Sequence, residues 1–138
     1  MAAARLRFAC VRFHRDARRV FYGDLFANPD GDINVVYLEP HVPIAWHRHQ
    51  RQSDRLFLVK GILRVRCFTD SWQTDGVEHI LVHTGKARDV LHIPPNTWHG
   101  YESLLDDTIV LQCNGPGKWD GSDEERLSLE DVPWTPTS

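Results

Sequence analysis

His47-Arg48-His49-Gln50-Arg51-Gln52-Ser53-Asp54 is the stretch on which the reading of this chain turns. It lies between Ile44-Ala45-Trp46 and the apolar run Leu56-Phe57-Leu58-Val59, and Gly61 closes it. In an extended strand side chains alternate, so His47 and His49 point to one face and Trp46 and Arg48 to the other. Asp54 follows a short polar turn. Further along, Ile93-Pro94-Pro95-Asn96-Thr97-Trp98-His99-Gly100 offers a third imidazole. Imidazole and carboxylate are the side chains that ligate metals and move protons near neutral pH. If the two stretches face each other, His47, His49, Asp54 and His99 converge.

Working outward, the flanks read as short strands. Leu6 to Phe13 alternates, His14 to Arg19 is a charged turn, and Val20 to Phe26 is a second strand interrupted at Gly23. Asn28-Pro29-Asp30-Gly31 is a turn, because Pro presets φ and Gly supplies a positive one. Ile33 to Leu38 is rich in β-branched and aromatic residues. Pro40 and Pro43 then break pairing, since neither has a backbone donor. Ile62 to Thr69, His79 to His83, Val90 to Ile93 and Thr108 to Cys113 complete the set. Asp70 to Glu78 reads as a loop and Gly85 to Asp89 as a turn. No amphipathic helix of convincing length is present. Seven to nine short strands with turns roughly every 8–12 residues predict an all-β sandwich or barrel.

The chain has 138 residues, 15.9 kDa and a net charge of -3. That size predicts one domain with a core of its own. The expected division is a core over about 33–113, N-terminal strands within 6–26 and an acidic tail over 120–138. Pro133 and Pro136 break the tail, and Trp134 is placed to dock it on the body. The charge gives no reason to expect nucleic acid or an anionic membrane as partner. No apolar run approaches the ~20 residues that span a bilayer. Arg5 and Arg7 interrupt any signal-peptide core within Met1–Cys10. Cys10, Cys67 and Cys113 are widely spaced and odd in number, which argues against a zinc ribbon or a disulfide framework. A cytoplasmic protein is the expectation.

The paired histidines, the following carboxylate and the glycine resemble the first motif of cupins, as His47, His49, Asp54 and Gly61. Asp stands where Glu is usual. Pro94, Asn96 and His99 resemble the second motif, with Asn in the glycine place. Asn tolerates the left-handed region better than other non-glycine residues. A narrower resemblance runs from about Asn34 to Trp134. "AWHRHQRQSDRLFLVKG", "IPPNTWHGY" and "DEERLSLEDVPW" are similar to proteins related to dTDP-4-dehydrorhamnose 3,5-epimerase. The resemblance implies a single-domain cupin jelly-roll β-barrel, usually dimeric, acting on deoxysugar nucleotides. It also implies a His that takes a proton beside a 4-keto group and a Tyr that returns one. Here no Tyr follows Tyr101, and Lys118 and Trp119 stand in that neighbourhood. Asp54 and Arg55 replace the family's lysine after the first motif.

Three readings of the site follow. As a metal centre, His47, His49, Asp54 and His99 suit Fe, Mn, Ni or Zn, with room left for substrate. As a metal-free sugar site, His47 or His49 is a base whose tautomer and basicity Asp54 sets. As a binding module, the histidines are satisfied polar groups in an inert pocket. Tyr101, two residues beyond His99, shares its face and is the candidate acid. An enolate needs positive charge, and Arg55, Lys60, Arg64 and Arg66 are the candidates. Arg64 and Arg66 share a strand face and, if inward, hold a diphosphate as a fork; if outward, they form a solvated face. Trp98 is a candidate stacking surface for a base or sugar. A small-molecule substrate, a nucleotide sugar, and a homodimer that pairs edge strands are the expected partners.

Overall fold

The computed structural model describes residue 6 and residues 8–83 and 90–135. The expected turn over Gly85–Asp89 and the breaker Pro136 lie outside the described residues. Strands dominate. β1 is Arg12–Arg15, β2 Arg19–Gly23, β3 Asp32–Leu38, β4 Ile44–His49, β5 Ser53–Lys60 and β6 Ile62–Phe68. After a one-turn helix, α1 (Trp72–Asp75), come β7 Val77–Val82, β8 Leu91–Ile93, β9 Trp98–Ser103, β10 Thr108–Gly115 and β11 Glu124–Arg126.

The strands form two antiparallel sheets, β1-β2-β3-β10-β5-β8 and β11-β4-β9-β6-β7. They face each other as a jelly-roll sandwich. No strand ladder joins the two sheets among the described residues, so the expected barrel is not closed by hydrogen bonds. Alternation explains the core between them. Val36, Leu38, Leu56, Leu58, Leu63, Val65, Ile93, Tyr101 and Val110 point inward and are buried, and their strand neighbours face the other way. Gly61 ends β5 at φ +99, and a Cβ there would lie 2.2 Å from Thr108 Oγ1, so the turn between β5 and β6 needs glycine. Asn96 sits at φ 61, the left-handed conformation that its side chain tolerates.

A second core lies on the outer face of the β4-β9-β6 sheet. Trp46, Phe68, Trp98 and Trp134 are buried there, with Trp72 and Val132 packed against them. The tail provides the cover. β11 pairs with β4 through Glu124↔His49, Glu125↔Arg48 and Arg126↔His47. Trp46 Nε1 donates to the Val132 carbonyl at 2.8 Å, and Trp134 Nε1 donates to Glu102 at 3.1 Å. Gly100 lets this layer close, since a Cβ there would meet Ala45 at 2.4 Å and the Trp134 ring at 2.9 Å.

Three local expectations change. The alternating segment Leu6–Phe13 becomes strand only from Arg12, and Leu6 and Phe8 are exposed because no described strand pairs beside them. The charged stretch His14–Arg19 is a hairpin rather than a plain turn. Asp16 holds its tip, accepting from the backbone N–H groups of Arg18 at 2.8 Å and Arg19 at 3.1 Å. The supposed loop Asp70–Glu78 holds α1, capped by the Ser71 hydroxyl, and the start of β7.

Trp134 is 7% exposed, so Trp134→Ala removes a large buried ring and leaves a cavity under the tail. We expect a loss of roughly 3 kcal/mol in urea unfolding, with faster amide exchange at Glu124–Arg126 than in the native protein.

Candidate active site

Strand alternation brings His47 and His49 of β4 to the inner face. Cross-strand pairing sets His99 of β9 opposite His47. Asp54 opens β5 in the facing sheet, where it pairs with Ile93 and Asn114. The turn between β4 and β5 that delivers Asp54 is held by the tail. Asp123 Oδ2 accepts from the N–H groups of Arg51 and Gln52, both at 3.0 Å, and Oδ1 from Gln50 at 3.2 Å. The four residues gathered by the sequence motifs therefore line one cavity of about 470 Å³, together with Tyr101. That volume lies in the range of small-molecule pockets.

Asp54 is the centre of the cluster. Its Oδ2 lies 2.9 Å from His99 Nε2 and 3.6 Å from His49 Nε2. Burial pushes the Asp54 carboxyl up, but the two histidines outweigh it and hold it below the usual carboxylate range. Burial pulls His49 down, yet contact with Asp54 reverses the effect and leaves its pKa raised. His47 differs. Burial, the His99 ring and the charges of Arg126 and Arg19 drive it down to about 3. It is neutral at pH 7, so its 3.8 Å approach to Glu124 is not an ion pair there.

His99 Nδ1 lies 2.9 Å from the Thr97 carbonyl, and its Nε2 faces the Asp54 carboxylate. Both ring nitrogens thus face acceptors. A neutral imidazole carries one N–H and so can donate to only one of these two acceptors. His49 Nδ1, His47 Nδ1 and Asp54 Oδ1 are buried without a protein partner. The ligand atoms of His49, Asp54 and His99 lie within 4.8 Å of one another, close enough to share an ion. His47 falls outside that group and turns Nδ1 toward Glu124.

The residues proposed from sequence to hold substrate lie elsewhere. Arg64 and Arg66 share a face, but it is the outer one. Arg64 pairs with Glu102 at 3.1 Å, and Arg66 pairs with Glu78 at 2.6 Å and stacks over Trp134. Trp98 is buried in the outer aromatic layer under Arg48, whose guanidinium sits 4.5 Å from the ring centre. Arg55 is exposed on β5 and does not line the cavity. The cations that do line it are Arg12, Arg18, Arg19 and Arg126, beside Phe13, Phe21, Trp119, Gln112 and Glu124. The sequence signal for them was weak: an arginine-rich run over residues 12–19 and the acidic tail. Tyr101 is fully enclosed. Burial raises its phenol above the usual value against the opposing charge of Arg19, so it is a hydroxyl donor at neutral pH.

No family model matches the chain. A probable low-salt glycan biosynthesis epimerase from Haloferax volcanii is 32% identical over 97 residues, covering 66% of this chain and 62% of that relative. The chain thus spans less than two thirds of the relative's length. Among solved structures, the capsular polysaccharide assembling protein CapF from Staphylococcus aureus superposes with a TM-score of 0.72 at 22% identity. The match covers 86% of this chain and 32% of that one. Oxalate decarboxylase from Bacillus subtilis superposes with a TM-score of 0.71 at 13% identity, covering 99% of this chain and 35% of that one. These likenesses show the fold, a jelly roll matched to about a third of each larger protein. Among the described residues no helix is long and apolar enough to cross a membrane.

The low pKa of His47 makes a pH prediction with a definite sign. Unfolded chains bind a proton at His47 as pH falls through about 6.5, whereas the folded protein resists until about 3. Its contribution to stability is therefore present above pH 6.5 and lost progressively below it. In His47→Gln the acid-side loss should be smaller, by at most roughly 3 kcal/mol at pH 4. Urea unfolding of both proteins from pH 7 to pH 4 measures the difference.

Proposed function

We propose that this cupin is an epimerase or isomerase that moves a proton beside the carbonyl of a nucleotide-activated keto-deoxysugar. The carrying observation is the buried Asp54 carboxylate that backs both His49 and His99 at the cavity floor. The kinship with a glycan biosynthesis epimerase supports the reaction class. His49 is the base: Asp54 raises its proton affinity toward the range where general bases work at neutral pH. Tyr101 is the acid, because enclosure keeps its hydroxyl protonated and it opens on the same cavity. The C–H bond next to the carbonyl breaks, its proton passes to His49, and the electron pair becomes an enolate. Return of a proton to carbon from Tyr101 completes an isomerisation with no redox change. Trp119 and Phe13 at the cavity wall offer stacking surface for a nucleobase.

A second reading, metal-dependent chemistry, is favoured by His99, whose two nitrogens both face acceptors. His49, Asp54 and His99 fit Fe, Mn, Ni or Zn in donor type and in spacing. When bound, such an ion supplies Lewis acidity toward a carbonyl or enolate oxygen. In either reading the chain's own residues bind substrate, hold Asp54 and exclude water. We infer a homodimer, on the exposed apolar residues Val77, Ile80 and Val82 of the edge strand β7. We also infer a cytoplasmic location, on three cysteines that form no disulfide.

The test is solvent-deuterium incorporation into a dTDP-4-keto-6-deoxy sugar, read by mass spectrometry, beside elemental analysis of protein purified without chelator. Native protein should incorporate deuterium, and Asp54→Asn should be slower by about 10²–10⁴-fold, the usual range for general acid–base catalysis. Neither binding nor exchange with native protein would sink the sugar reading. About one transition metal per chain, lost in the His49→Ala, His99→Ala double variant, would carry the metal reading instead.

A further inference from the structure

Four arginines line the cavity, and three of them are already answered by a carboxylate. Arg18 Nη2 sits 3.0 Å from Asp16, Arg126 Nη2 lies 2.7 Å from Glu124, and Arg12 Nη2 approaches buried Asp32 at 3.8 Å. Arg19 has no ion-pair partner among the described residues. Its Nε is buried and makes no hydrogen bond. The side chain is held in place by packing, with the guanidinium 5.2 Å from the centre of the Phe21 ring. Phe21 itself packs against the core.

A guanidinium cannot escape its charge by losing a proton at any ordinary pH. A buried donor without an acceptor costs about 1–3 kcal/mol, and more when charged. Such a cost persists in a cavity where a ligand supplies the acceptor. Arg19 lines the same cavity as His49, His99 and Tyr101, so that acceptor would belong to a molecule bound there.

We propose that Arg19 holds the negative charge that develops on the substrate carbonyl oxygen when the neighbouring carbon loses its proton. This rests on the proton-exchange reading above and assigns the part of the reaction for which the sequence offered Arg55, Lys60, Arg64 or Arg66. The electron pair of the broken C–H bond becomes the new C=C bond, and the carbonyl π pair becomes the oxygen lone pair that faces Arg19. Reprotonation at carbon reverses both shifts. The charge on oxygen is small in the ketone and large in the enolate. Arg19 therefore acts in the transition state more than in ground-state binding.

The kinetic split tests this. With a dTDP-4-keto-6-deoxy sugar as probe, Arg19→Met should lower the rate of deuterium incorporation by about 10²–10³-fold, the range for losing one oxyanion donor. KM should change less than about threefold. Arg19→Lys should recover part of the rate, because it restores the charge without the fork. Added guanidinium ion should partly rescue Arg19→Met and leave Tyr101→Phe unchanged. A raised KM with unchanged kcat would make Arg19 a ground-state anchor and overturn the proposal. Native rates in both Arg19 variants would overturn it as well, while native exchange leaves the wider reading intact. Absence of exchange in the native protein would instead remove the reaction itself, and this role with it. Thermal melts of the variants, expected to be no lower than that of the native protein, separate the result from misfolding.

Discussion

A carboxylate buried between two histidines is the constraint around which this fold is arranged. Taking Asp54 out of water costs several kcal/mol unless charge and hydrogen bonds replace the lost hydration. Here His49 and His99 both turn Nε2 to the same oxygen, Oδ2, and leave Oδ1 without a protein partner. Such an arrangement is stable only if three strands hold their register. Asp54 comes from one sheet and both histidines from the other, so the cluster also ties the two sheets together. A slip of one residue in β4 would send His47 and His49 outward and Trp46 inward.

What prevents that slip is the aromatic layer on the far side of the same sheet. Trp46, Phe68, Trp98 and Trp134 form a core outside the sandwich, and it exists because the tail returns to cover it. β4 is therefore buried on both faces, histidines on one and Trp46 on the other. The two halves are coupled through single residues. Trp46 precedes His47, and Trp98 precedes His99, so each ring that packs outside fixes an imidazole inside. Arg66 completes the brace by stacking on Trp134 and donating to its backbone carbonyl. Its charge serves packing of the tail and is spent outside the cavity.

This explains which parts were legible in the sequence. Alternation alone placed His47 and His49 on one face and Arg48 on the other, and the motif spacing brought Asp54 and His99 to them. Asn96 in the place of glycine was readable because few other residues adopt its φ. Alternation does not tell which face is the inner one when both are covered, and Arg64, Arg66 and Trp98 remained candidates for the cavity for that reason. Their strand faces are buried by the tail, not by the opposite sheet. Arg12, Arg19, Glu124 and Arg126 were not legible because they reach the cavity from the two ends of the chain. Nothing local to residues 12–19 indicates that a hairpin paired to β3 brings them to the cavity.

The cavity is thus assembled from the beginning, the middle and the end of the chain, and its parts differ in what they contribute. The middle supplies the histidines and Asp54, held rigidly by two cores. The ends supply most of the charge. β11 sets Glu124 and Arg126 against each other, and Asp123 gathers three backbone N–H groups of the turn that leads to Asp54. Because those bonds fix the turn, docking of the tail and placement of Asp54 are one event and not two. The N-terminal hairpin does the same for Arg19, since Asp16 holds its tip while β2 pairs with β3. The divided supply has a chemical consequence. Neutral His47 and raised His49 differ by only two residues, yet Glu124, Arg126 and Arg19 surround the first and Asp54 backs the second. Two identical side chains on one strand are thereby given opposite affinities for a proton, and a proton-transfer site needs that kind of asymmetry.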